Sequence, residues 1–435
     1  MDCCGYGDDT YALCPKCLRR LPARRVHRDG FVFLERECPE HGLRSDIIWR
    51  GYVDWDDWTR GAECSDNWNE NCPDACGLCP SHLRGTCCVL FEVTSRCDLA
   101  ECAYCFAGSS HGGRAPSLDE LTAQMKSFVK PGETFIQLSG GEPSVREDLP
   151  DIVRAAVDLG CAYVQLNTNG LKLALDEKFA SNLAEAGLSF VFMQFDGVDD
   201  AIYRHLRGRD MLEIKMRAIE NCAKYKIGVT LVPTLVRGVN TDAVGDIVRF
   251  AASRSPAVRG VHFQPVCFMG RHLDGDYSTE RFTLDELVFE LRRQARDIIG
   301  DAVILPSACD HPLCGFHSDF VTLEDGSLYP VSGASEDSGD SCCGCGTKDK
   351  AKKNREFVGR RWKMREAENS LSCGNIEDLD YFASRSKSHA FTLTAMVFQD
   401  PWNLDLERLR SCSLHVFNGG RTVPFCANYL KKADL

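Results

Sequence analysis

Between residues 89 and 266 the chain alternates short apolar runs with amphipathic stretches. The runs Val89–Thr94, Thr134–Ser139, Tyr163–Asn167, Phe190–Phe195, Val229–Thr234 and Gly260–Pro265 have strand length and are rich in β-branched and aromatic residues. Between them, apolar positions recur at helical spacing over Leu118–Phe128, Leu149–Leu159, Glu177–Ala186, Asp199–Tyr225 and Asp242–Ala252. Strands alternating with helices predict an α/β fold with a parallel sheet. Six repeats predict a partial (β/α)6 TIM-type barrel rather than a doubly wound sheet, with function on loops at the carboxyl ends of the strands.

The residues at those ends carry chemistry. Cys97, Cys102 and Cys105 follow the first run, separated by four residues and then two. Three thiolates leave one iron of a four-iron, four-sulfur cluster without a protein ligand, which suits reductive chemistry on a bound small molecule. A zinc knuckle would need a fourth ligand in register, and the nearest histidine, His111, lies in a Gly-rich stretch. At the end of the second run stand Gly140, Gly141 and Glu142. The glycines admit a ligand close to the backbone, and the carboxylate can pair with an ammonium group. Asn167 and Asn169 end the third run, Gln194 and Asp196 the fourth, and Gln264 the sixth, polar groups suited to a ribose and an adenine.

Outside the barrel, cysteines divide the rest of the chain. In residues 1–62, Cys14 and Cys17 pair with Cys38 and His41 across a hairpin around Arg28-Asp29-Gly30, a pattern for one tetrahedral zinc or iron whose fourth ligand is His41 or Cys64. Residues 63–88 hold Cys72, Cys76 and Cys79, with Cys87 or Cys88 beyond them, enough to close a four-iron cluster or a second zinc site. After the barrel segment 89–300, residues 301–435 supply Cys309, Cys314, Cys412 and Cys426 for a further closed cluster. Cys342, Cys343 and Cys345 sit in a Gly/Ser/Asp-rich stretch, and Cys161, Cys222 and Cys267 read as buried small apolar residues.

Composition adds the compartment. Twenty-five cysteines, many in C-x2-C spacing and without an export signal, favour metal ligation in a reducing cytoplasm over disulfides. No run reaches the ~18 apolar residues of a membrane span. A net charge of −12 without a large basic block argues against nucleic acid. The local clusters Arg19-Arg20, Arg24-Arg25 and Lys348–Arg355 read as solvated faces or loops, the alternative being a patch for an anionic headgroup with peripheral membrane contact.

The three-cysteine loop followed by Ser139-Gly140-Gly141-Glu142-Pro143 resembles the radical S-adenosylmethionine (SAM) superfamily, most members of which space their cysteines by three and then two. The stretches Cys14–Cys17, Glu37–Gly42, Cys76–Pro80, Leu166–Gly170, Gln194–Gly197 and Pro424–Cys426 look like one group within it, that of the archaeal tetraether-lipid synthase and the methanopterin-pathway dihydropterin methyltransferase. The resemblance implies SAM, one catalytic and two auxiliary [4Fe-4S] clusters, one mononuclear iron or zinc, and a ferredoxin- or flavodoxin-like reductant. It implies that a 5′-deoxyadenosyl radical abstracts hydrogen from an unactivated C–H bond, with carbon–carbon bond formation between lipid chains as the expected outcome. The apolar run Phe391–Phe398 would then line a lipid cleft. The alternatives are C-methylation of a pterin or other heterocycle, peptide modification, and a non-catalytic iron-sulfur electron-transfer scaffold.

Overall fold

The fold is that of a computed structural model, which describes residues 7–63, 68–69, 71–74, 77–99, 101–273, 277–331, 355, 359, 361–364 and 379–430. Strands β1 (Asp9–Leu13), β2 (Arg20–Arg28), β3 (Phe31–Cys38) and β4 (Gly42–Trp49) form an antiparallel sheet in that order. Period-two alternation buries Leu21, Ala23 and Arg25 on β2 and Val32, Leu34, Arg36 and Cys38 on β3.

The second sheet begins with β5 (Cys88–Thr94), β6 (Phe135–Gly140), β7 (Tyr163–Thr168), β8 (Phe190–Gln194) and β9 (Gly228–Val232). It continues with the two-residue β10 (Thr234–Leu235) and with β11 (Val258–Pro265). The six expected strands are therefore β5, β6, β7, β8, β9 and β11, hydrogen-bonded in that order and all parallel. The C-terminal region adds β12 (Leu305–Pro306), β13 (Phe316–Thr322), β14 (Leu328–Pro330), β15 (Ala390–Ala395), β16 (Leu414–Asn418) and β17 (Arg421–Pro424). Of these, β15 pairs parallel with β11 and β16 pairs parallel with β5, so the parallel array grows from six strands to eight. Strands β13 and β17 continue it antiparallel at the two flanks. The C-terminal strands thus join the parallel sheet at both ends of its order.

Helices cover the outer face. In Leu149–Asp158, Leu149, Ile152, Val153 and Ala156 are fully buried at i, i+3, i+4 and i+7 spacing, against a core that includes Ile136, Leu138 and Val164. Each such aliphatic side chain contributes roughly 1.5–3 kcal/mol of burial. The single helix expected over Asp199–Tyr225 is two, Asp200–Arg207 and Leu212–Lys224. Gly208 takes a positive φ of 76° at the end of the first, and the Asp200 carboxylate accepts the Met211 and Leu212 N–H groups that open the second. This break leaves Arg207 at a helix end beneath the strand termini.

Candidate active site

The carboxyl ends of the parallel strands surround a cavity of about 1030 Å3 whose wall includes Cys97, Cys102 and Cys105. Their loop is braced by backbone and by one arginine. Cys105 and Arg271 exchange N–H···O bonds of 2.8 and 2.9 Å, and Arg271 Nε donates to the Cys102 carbonyl at 2.7 Å. Cys102 Sγ lies 3.0 Å from the Leu99 carbonyl, so the longer loop turns back on itself between the first two cysteines. Burial pushes the Cys97 thiol up to about 12, so a metal must displace its proton. The three thiols on one cavity wall fit the donor set of a cluster with one open iron.

The Gly-Gly-Glu turn serves that loop directly. A Cβ on Gly140 would lie 2.1 Å from the Thr94 carbonyl oxygen, and one on Gly141 would lie 2.1 Å from that of Arg96. Without side chains, Gly141 N–H and Glu142 N–H donate to those same carbonyls at 2.7 Å. The glycines therefore seat β6 against the cysteine loop, a role beyond the ligand approach expected of them. The Glu142 carboxylate accepts from Ser144 N and Oγ and from Thr168 Oγ1 on Oε1, and from Asn169 N at 2.6 Å on Oε2. Oε2 keeps acceptor capacity for an ammonium group, and Glu142 lines the cavity. Burial, with Asp98 adjacent, raises the Glu142 pKa. Asp98, which the sequence reading passed over, accepts from Asn169 Nδ2 at 2.6 Å.

Asn167, Asn169, Gln194 and Gln264 line the cavity. Asp196 does not. It is fully buried beneath the wall, where its carboxylate takes two bonds from Arg207 at 2.7 and 2.9 Å and one from Thr234 N–H at 3.1 Å. It positions Arg207, which lines the same cavity as Cys102. Lys215, also fully buried, donates to the Asn169 carbonyl and to Gln194 Oε1 (2.8 Å for the latter), tying the third and fourth strand ends together. Burial brings its pKa down to about 7.

The other cysteine groups vary in how completely the structure gathers them. Cys14, Cys17, Cys38 and His41 place one ligand atom each within 4.8 Å of one another, with His41 Nδ1 3.4 Å from both Cys14 and Cys38 sulfurs. That donor set fits one tetrahedral ion, with His41 positioned to be its fourth ligand. At the C-terminal group, Arg408 Nε donates to Cys314 Sγ at 3.1 Å, and burial raises the Cys412 thiol, with Asp310, Cys426 and Cys314 nearby. Contact with Cys87, together with burial, raises the Cys309 thiol, so the expected partner of Cys72 and Cys79 stands beside the C-terminal group. Cys72 and Cys79 both lie near Arg410. Cys88 instead accepts from Gln137 Nε2 at 3.2 Å. Cys64, Cys76, Cys342, Cys343 and Cys345 fall outside the described residues. Cys222 is buried in the helix layer as expected, whereas Cys267, directly after β11, lines the cavity.

The lipid-cleft expectation for Phe391–Phe398 meets the alternation of β15. Phe391 and Leu393 turn into the core between sheet and helices, and Thr392 and Thr394 face the cavity. Ala395, Met396 and Phe398 of the same run line the cavity too, so this stretch of wall is part hydroxylated and part apolar. On β13, His317 and Asp319 share the cavity side at i, i+2 spacing, a signal present in the sequence and not used.

A parallel βα array with three cavity-facing cysteines after its first strand, and a Gly-Gly-Glu turn pressed on their loop, defines a radical SAM enzyme. The radical SAM superfamily model matches residues 91–251, and a model described as the HMPTM N-terminal zinc ribbon domain matches residues 6–50. The 7,8-dihydro-6-hydroxymethylpterin dimethyltransferase of Methanocaldococcus jannaschii is 33% identical, over 96% of this chain and 92% of its own. A GTP 3′,8-cyclase of Limosilactobacillus fermentum is 30% identical over 48% of this chain and 61% of its own. Among solved structures, Streptococcus suis SuiB bound to precursor peptide SuiA aligns with a TM-score of 0.42 at 13% identity, over 50% of this chain and 47% of that one. The chain belongs to the radical SAM superfamily, in the same family as the M. jannaschii protein. When bound, the reduced cluster supplies the electron that cleaves SAM to methionine and a 5′-deoxyadenosyl radical, which abstracts hydrogen. The chain's own residues hold the cysteine loop, fix the polar strand ends and enclose the reacting volume. Among the described residues, no helix is long and apolar enough to cross a membrane.

Proposed function

We propose that this enzyme carries out C-methylation of a dihydropterin. The observation that carries this reading is the near full-length match to 7,8-dihydro-6-hydroxymethylpterin dimethyltransferase, which includes the N-terminal ribbon as well as the barrel. The cavity is compatible with it: about 1030 Å3 accommodates SAM and a small heterocycle together. Pterin chemistry thus replaces lipid coupling as the preferred outcome. In this reading Gly140, Gly141 and Glu142 hold the SAM amino group, Asn167, Asn169, Gln194 and Gln264 face its nucleoside, and a ferredoxin or flavodoxin delivers electrons.

Anaerobic incubation with reductant and SAM, and in parallel 7,8-dihydro-6-hydroxymethylpterin, a phospholipid or a short peptide, tests the substrate class. 5′-Deoxyadenosine formation is expected to rise with the pterin alone. Stimulation by the phospholipid or the peptide, with none from the pterin, would reject the reading.

The same proposal sets metal content. The Cys14, Cys17, Cys38 and His41 site holds one zinc, and Cys72, Cys76, Cys79, Cys87, Cys309, Cys314, Cys412 and Cys426 together hold two auxiliary clusters. Reconstituted protein should contain about twelve irons and about one zinc per chain by metal analysis. About four irons would mean that the outer cysteines are not cluster ligands.

A further inference from the structure

Strand β15 sets Thr394 between two histidines, His262 on β11 and His317 on β13, and all three line the cavity. Among the described residues Thr394 anchors one of the two rings: His262 Nδ1 lies 2.8 Å from Thr394 Oγ1. The Phe192 ring packs on the same imidazole at 5.3 Å between centroids. Trp362 backs Phe192 at 4.6 Å and donates its Nε1–H to Thr392 Oγ1 at 3.0 Å. His262 is thus held through one nitrogen and one side of its ring. The other nitrogen, Nε2, has no hydrogen-bond partner among the described residues and is not sealed in the wall. The half-buried ring opens onto the cavity there. Burial pushes its pKa down to about 4, so near neutral pH the ring is uncharged and carries one N–H and one lone pair. Because the Thr394 hydroxyl can donate to Nδ1 or accept from it, Nε2 can present either one to a ligand.

Position along β11 places this nitrogen relative to SAM. Gln264, which faces the nucleoside in the reading above, is two residues beyond His262 on the same side of the strand, about 6–7 Å nearer its carboxyl end. A ligand bonded to His262 therefore lies beneath the adenosyl group, next to where the radical forms. A dihydropterin carries hydrogen-bond donors and acceptors around a flat edge, and a neutral imidazole can bond to either kind. Resting on the dihydropterin reading above, we infer that His262 Nε2 hydrogen-bonds the ring edge of the substrate and holds it in the barrel below SAM, with Thr394 positioning the imidazole. The substrate wall is then that of β11 and β15, across the sheet order from the Gly-Gly-Glu turn at the end of β6.

Two amide replacements separate the two nitrogens. In His262→Gln the amide reaches the position of Nε2 and forgoes that of Nδ1, whereas in His262→Asn it stands at Nδ1, beside Thr394, and leaves the cavity side empty. Calorimetry on the anaerobically reconstituted holoenzyme is the measurement. His262→Asn is expected to bind 6-hydroxymethyl-7,8-dihydropterin about 10- to 50-fold more weakly than the wild type, and His262→Gln within about fivefold of it. SAM affinity should stay within about twofold in both, since separate side chains hold SAM. The electron paramagnetic resonance signal of the reduced clusters reports whether each variant is assembled. Should either fail to assemble, Thr394→Val takes its place, with an expected loss of about 3- to 10-fold for the dihydropterin. A role confined to the Thr394 bond predicts the reverse order, asparagine binding better than glutamine. That order, equal affinities in the two variants, a parallel loss of SAM affinity, or a Thr394→Val protein with unchanged dihydropterin affinity would overturn the assignment of His262 while the dihydropterin reading stands. If the wild-type protein neither binds the dihydropterin nor forms more 5′-deoxyadenosine with it, the dihydropterin reading itself fails, and the assignment with it.

Discussion

An enzyme in which Cys97, Cys102 and Cys105 are all alanine is expected to form no 5′-deoxyadenosine above background from SAM and dithionite under anaerobic conditions. The three thiols stand on one wall of the cavity, and no other cysteine lies in the loop that Gly140 and Gly141 press against. Electron delivery to SAM needs the open iron at that place, and an auxiliary cluster with four protein ligands has no such position. The variant should still hold about eight irons, the share of two auxiliary clusters. This separates a missing catalytic cluster from a protein that has failed to assemble. Product at the wild-type rate would exclude these cysteines from the chemistry.

The parallel strands were legible because each is a short apolar run bounded by polar turns, and their ends moved by no more than two residues between expectation and structure. The cysteine loop and the Gly-Gly-Glu turn were legible as local motifs. What local reading missed depends on contacts between distant segments. Nothing around Leu414 announces a parallel neighbour for Cys88, and nothing around Thr392 announces one for Gly260, since parallel pairing is set by tertiary register rather than by a turn. Asp196 was misplaced for a related reason: it follows a strand end, as a ligand-binding residue would, yet its partner Arg207 is supplied by a helix whose end the pattern did not reveal. The Thr392 and Thr394 side was obscured because Phe391 and Leu393, on the opposite face, dominate the apolar character of the run.

Replacing Arg25 by methionine is expected to destabilise the protein by about 3–5 kcal/mol at neutral pH, the usual consequence of removing one member of a buried ion pair. Arg25, on β2 of the metal-binding sheet, has a side chain only 1% exposed and reaches Asp405 and Glu407 at 2.7 Å each. Thr10 on β1 adds a 2.8 Å bond to the same Asp405. Asp405 also caps the short helix Leu406–Arg410, which carries Arg408 toward Cys314 and leads to Cys412. The ion pairs thus join the N-terminal sheet to the segment that holds the C-terminal cysteine group, and the loss should lower iron content as well as the thermal midpoint. The pH dependence follows from Asp405. Burial acts to raise its pKa, but Arg25 and the Thr10 hydroxyl outweigh burial and hold it below the ordinary carboxylate range. A depressed carboxylate contributes stability above its unfolded pKa of about 3.9 and loses it as pH falls through the lower folded value. In the methionine variant, acid instead relieves buried carboxylates left without a cation. The gap between the two proteins should therefore be widest near neutrality and narrow as the solution approaches pH 4, measured by thermal unfolding under circular dichroism. A midpoint at pH 7 unchanged by Arg25→Met would show that the ion pairs do not hold the two segments together.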